Sequence, residues 1–178
     1  MSSAPSPMSS RADLRPYVAV VAGGLAAGAL DILYAFVLAG MSGSTPLRIL
    51  QSVASGLLGK QAFAGGASTG ALGLALHLGI TIVAAGIYFV AAKHIAVVRR
   101  HYVVSGLAFG VLVYLAMNFA VLPLSAVPFK IKYTTSVVLR GFISHALLVG
   151  LPIAWCLQRL AFNREAWHRM SGSQASPS

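Results

Sequence analysis

The sequence predicts an all-α polytopic membrane protein: a four-transmembrane-helix bundle with a short interfacial helix in its first external loop. Three observations predict it. The 178 residues have a mean hydropathy of +0.80, with 57% apolar and only 9% charged side chains, far outside the range of a soluble domain. Four apolar runs, residues 17–40, 67–92, 103–128 and 137–157, are each long enough to cross a hydrocarbon layer of about 30 Å. The basic residues cluster at the ends of those runs, as membrane orientation requires.

Residues 1–16 are Ser-, Pro- and Ala-rich at their start and read as a disordered N-terminal segment. They do not read as a cleaved signal, because the apolar run that follows is much longer than a signal's roughly 7–15 apolar residues. The first span, 17–40, carries one ionisable group apart from tyrosine, Asp31. The loop after it contains Ser44-Thr45-Pro46, a hydroxyl cap followed by a proline in the first helical turn. Leu47, Leu50, Ala54, Leu57 and Leu58 recur at helical spacing, and Gly59 can end the segment. A helix over 46–58 is too short to span, so it lies at the interface or re-enters, as a cap on the bundle or a gate. Gly65 and Gly66 supply a flexible turn into the second span.

The second span, 67–92, holds His77, and the third, 103–128, holds Asn118. The fourth, 137–157, holds His145 with Arg140 near its start. Residues 158–178 form a basic amphipathic tail suited to an anionic headgroup layer. Eight basic residues flank the spans on the side of the termini and four on the other, which places both termini in the cytoplasm. The net charge of +10 is distributed over span ends and not over one folded face, so nucleic acid is not expected as a partner. The bilayer is. A second copy or another membrane protein stays open as a further partner. Cys156 stands alone, which excludes an intrachain disulfide. No HExxH, CxxC, GxSxG or phosphate-loop pattern is present, so no hydrolase template applies.

Gly24 and Gly28 in span one align with Gly106 and Gly110 in span three, and Gly73/His77 in span two with Gly141/His145 in span four. The alignment suggests two helical hairpins, 17–92 and 103–157, related as a parallel repeat. The glycine pairs let backbones approach closely, and the glycine one turn before each histidine is expected to clear space beside the ring.

The 1.5 Å rise places Asp31 and Asn118 roughly 14 Å, His77 about 15 Å and His145 about 12 Å below the outer surface. One polar layer therefore runs through all four spans. A carboxylate at that depth is unfavourable by roughly 2.5–3.5 kcal/mol, so Asp31 must be protonated, paired or bound to a cation. Arg140 is one partner within reach. His77 and His145 can hydrogen-bond between helices, relay protons, or ligate a metal ion or haem. Asn118 fits interhelical hydrogen bonding, and Pro123 and Pro152 free carbonyls that can line a cavity. The layer is compatible with a binding or translocation module open to the outside, a redox protein, or an assembly subunit whose polar groups fix helix register.

The glycine-rich first span, the histidine of span two, Pro123-Leu124-Ser125 and the Gly-Phe-Ile-Ser-His block at 141–145 resemble YagU-type bacterial inner-membrane proteins. The resemblance covers residues 17–157. The external loop differs, and Asn118 or a neighbour stands where that family carries a histidine in span three. The family has no established activity, so the resemblance implies membrane class and a bacterial cytoplasmic membrane only.

Overall fold

The structure is a computed structural model that describes residues 8–130 and 133–163. Among them every regular element is helical. Helix α1 runs Met8–Gly40, α2 Pro46–Leu58, α3 Gly66–His94 and α4 Ala96–Arg100. Helix α5 runs Tyr102–Leu124 and α6 Thr135–Phe162. Four of these, α1 from Leu14 onward, α3, α5 and α6, are long and apolar enough to cross a membrane, giving the all-α four-helix bundle. Most of their surface faces outward and is apolar: Val83 on α3 and Leu112 on α5 are 64% and 59% exposed. In water such a surface would aggregate. In lipid it is the ordinary outer face of a span.

Three boundaries differ from the sequence reading. Helix α1 begins at Met8, inside the segment read as disordered, with Pro16 within it. Span three leaves the helix at Ser125, before Pro128. Span four continues past 157 to Phe162, taking up the start of the basic tail, whose residues 164–178 lie outside the described ones. Helix α2 starts and stops where its residues dictate. Thr45 accepts from the Arg48 amide at 3.2 Å as the N-cap, and Gly59 leaves the helix at φ +59°.

The glycine pairs set the packing. A Cβ on Gly24 would lie 2.5 Å from the Ile82 Cα, and one on Gly28 2.6 Å from Thr81 Oγ1, so α1 and α3 cross with backbones nearly touching. Gly106 and Gly110 do the same for α5 against Gly150 and Ala146 of α6. Each hairpin thus closes on its own small-xxx-small pair. The glycines before the histidines serve other neighbours. Gly73 admits the Leu50 backbone of α2, and Gly141 admits the Tyr114 ring, so neither makes room for an imidazole.

The two hairpins join through α1 and α6, where Ala19 and Ala27 pack with Ile153 and Leu157. That core occupies the half of the bundle nearer the described chain ends. There Tyr88 of α3 stacks edge-on against Phe109 of α5 at 5.2 Å, and its hydroxyl bonds Ser105 Oγ at 2.8 Å. Towards the opposite side α3 and α5 diverge and share almost no direct packing.

Two π-helical turns adjoin the prolines. Met117–Val121 precedes Pro123, and His145–Gly150 precedes Pro152. A proline offers no amide to the carbonyl four residues back, so the local register widens to i→i+5. The Leu122 amide accordingly bonds Met117 O and the Leu151 amide bonds Ala146 O.

Candidate functional site

The divergence of α3 and α5 leaves a cavity of about 460 Å³ in the half of the bundle that carries α2. Asp31 from α1, His77 from α3 and His145 from α6 all line it. Helix α2 contributes Ser52, Val53, Gly56 and Leu57, and the segment after α5 contributes Ser125, Val127 and Phe129. These two elements clasp each other, the Ala126 amide donating to Gly56 O at 2.8 Å. Together they form one wall of the cavity. The helix read as a plain surface cap is part of that wall.

Each imidazole is held by a backbone carbonyl. A carbonyl can only accept, so the geometry fixes which ring nitrogen carries hydrogen. His77 Nε2–H donates to Gly28 O at 3.0 Å, across the α1–α3 crossing that Gly28 itself permits. His145 Nδ1–H donates to Gly141 O at 3.1 Å, within its own helix. The Tyr114 ring packs edge-on to the His145 ring at 5.3 Å. The repeat is thus approximate at its key residue: one histidine ties two helices together, and its counterpart bonds locally.

Asp31 Oδ2 lies 3.9 Å from His77 Nε2, an ion-pair distance if the ring is protonated and too long for a hydrogen bond. Asp31 is 17% and His77 14% exposed, both withdrawn from the outer surface. Asp31 and His77 also lie within electrostatic reach of the His145 ring. Three ionisable side chains from three spans thereby share one cavity.

The other two candidates stand apart. Arg140 is not the partner of Asp31; its guanidinium turns back on its own helix, Nε donating to Ser136 O at 3.1 Å, and it is solvent- or lipid-facing. Arg140 stands in the second turn of α6, one turn after Ser136, whose carbonyl and hydroxyl therefore take its guanidinium. Asn118 does not line the cavity. Its Nδ2 donates to Tyr114 O at 2.8 Å and its Oδ1 accepts from the Tyr133 hydroxyl at 3.3 Å, so it satisfies the widened π turn of α5 and ties α5 to the start of α6. Among the described residues no three His, Cys, Asp or Glu side chains converge as a metal-ligand set.

The remaining polar lining was not visible in the sequence. Ser52, Thr81 and Ser125 each donate their hydroxyl hydrogen to a carbonyl three residues back, at 2.6, 3.0 and 2.7 Å. Their oxygens keep free lone pairs. Small hydroxyl residues at helical spacing carry no signal of their own in apolar text.

No family model matches the chain, and no curated protein or solved structure matches it either. The fold defines the class: four apolar helices long enough to span a bilayer make a multi-pass membrane protein built as a four-helix bundle, with a partly open, mostly apolar cavity that Asp31, His77 and His145 line.

Proposed function

We propose that the protein is a small membrane-embedded binding and translocation module, with Asp31, His77 and His145 as its binding site. One observation carries this reading. The one acidic side chain within the four spans, Asp31, shares a cavity with two imidazoles from different helices, and among the described residues no arginine or lysine lines that cavity. A charge in such a place is unfavourable unless something compensates it, so it is kept for a ligand and not for stability. A purely structural polar layer would be expected to pair its groups with each other, and Asp31 lacks a hydrogen-bonding side chain here.

Orientation follows from charge. Eight basic residues against four support cytoplasmic termini, with α2 and its cavity in the outer half. The resemblance of residues 17–157 to YagU-type proteins supports a bacterial cytoplasmic membrane.

The test is ligand-dependent stabilisation. Purified protein in lipid nanodiscs is melted against a panel of inorganic cations, amines, alcohols and carboxylates. Wild type should gain stability with one class, and Asp31→Asn should lose that gain while keeping its own melting point within a few degrees. A wild type that responds to no class, with an Asp31→Asn variant indistinguishable from it, would overturn the reading.

A further inference from the structure

The cavity continues sideways. A cleft of about 740 Å³ runs between α3 and α5, lined wholly by apolar residues and glycine, among them Gly79, Val83, Phe109 and Ala116. Leu76, Ile80, Val113, Met117 and Val121 line both spaces, so the polar cavity and the apolar cleft share a wall. The cleft exists because α3 and α5 meet only at the Tyr88–Ser105 end and splay apart from there. Its walls belong to the spanning segments, so it lies at hydrocarbon depth.

The hydrogen-bonding character of the cavity is one-sided. His77 Nε2–H is engaged by Gly28 O, which leaves Nδ1 as an acceptor, and His145 Nδ1–H is engaged by Gly141 O, which leaves Nε2 as an acceptor. The three lining hydroxyls direct their hydrogens to helix carbonyls. Asp31 adds a carboxylate. With both rings neutral, the polar groups of the described lining thus offer lone pairs, and the imidazole and hydroxyl hydrogens are committed to carbonyls. A ligand that satisfies such a site must bring donors, and an acidic side chain with no arginine or lysine among the described lining residues favours a positive one. A phosphate or carboxylate headgroup fails on both counts.

From these two features we infer that the protein binds a long-chain amphiphile with an ammonium head, the head held by Asp31, His77 and His145 and the chain lying in the α3–α5 cleft. This rests on the reading of the cavity as a binding site and names its ligand. Helix α2 and the Ser125–Phe129 segment wall one side of the cavity, and the cleft lies between two spanning helices and meets the bilayer, so the ligand enters laterally. Ile80, shared by both spaces, marks where chain gives way to head.

Dodecylamine, dodecanol and methylammonium serve as probes, with binding measured at equilibrium in nanodiscs and corrected for partition into empty discs. Gly79→Leu fills the cleft from a position where an added Cβ meets nothing within 4 Å, and so leaves the fold intact. Ala116→Phe fills it independently from α5. Wild type should bind dodecylamine at least tenfold more tightly than dodecanol. Asp31→Asn should abolish that preference, and either cleft-filling variant should weaken dodecylamine tenfold or more while leaving methylammonium unchanged. If Asp31→Asn removes ammonium binding but both cleft variants bind dodecylamine as wild type does, the cleft is not the chain site and the cavity reading survives alone. If dodecanol binds as tightly as dodecylamine, the ammonium assignment is wrong. If no probe binds and Asp31→Asn changes nothing, this inference and the reading beneath it fail together.

Discussion

Replacing Gly24 by alanine adds one methyl group at the tightest point of the α1–α3 crossing. That Cβ would lie 2.5 Å from Ile82 Cα and 2.8 Å from Ile82 N, both backbone atoms that cannot rotate away. Ordinary contact begins at 3.4 Å, so the helices must separate or slide by most of an ångström locally. Overpacking against backbone destabilises by roughly 1–3 kcal/mol. One turn further along the same crossing, the His77–Gly28 O hydrogen bond at 3.0 Å would stretch beyond bonding range, removing about 1 kcal/mol more. Gly24→Ala should therefore lower stability by about 2–4 kcal/mol. The control sits on the same interface: a Cβ on Gly86 would meet Val20 Cγ1 at 3.9 Å, an ordinary contact. Gly86→Ala should lie within about 0.5 kcal/mol of wild type. Denaturation in detergent micelles, followed by circular dichroism, reads both. Equal stabilities for the two variants would refute the claim that glycine-mediated backbone contact holds this hairpin.

Arg140→Ala should change stability by no more than about 0.5 kcal/mol, and a cycle with Asp31→Asn should be additive, because the guanidinium is occupied by Ser136 of its own helix; a coupling above about 1 kcal/mol would restore the pair. Thr45→Ala should weaken α2 by about 1 kcal/mol through loss of the N-cap, seen as faster amide exchange over residues 46–58 and not elsewhere. A reporter inserted beside Lys130 should be active outside the cytoplasmic membrane and one fused after Phe162 active only inside; the reverse pattern would invert the orientation.

What the sequence disclosed depended on how strongly a feature repeats. Apolar runs of more than twenty residues fix the helices with little ambiguity, and the Thr45-Pro46 start and Gly59 stop gave α2 its ends to the residue. Glycines at four-residue spacing identified which faces of α1 and α5 meet a neighbour. They could not say which neighbour. That choice falls to packing between segments far apart in the chain, and so Gly73 was assigned to the His77 ring when it admits α2 instead.

The polar layer shows the same division. Depth along a helix follows from counting residues, whereas direction around it does not. Counting put Asp31, His77, Asn118 and His145 at one level, and three of the four do share the cavity. Asn118 lies in the π turn Met117–Val121 and stands outside the group, its amide donating to the Tyr114 carbonyl. The π turn on α6 begins at His145, whose ring lines the cavity. The π turns before Pro123, at the end of α5, and before Pro152, within α6, thus accompany different outcomes for the polar residue in each. The repeat supplies two similar hairpins, and the departures from it, at Asn118 and in the carbonyl that each histidine holds, make one site between them in place of two equal ones.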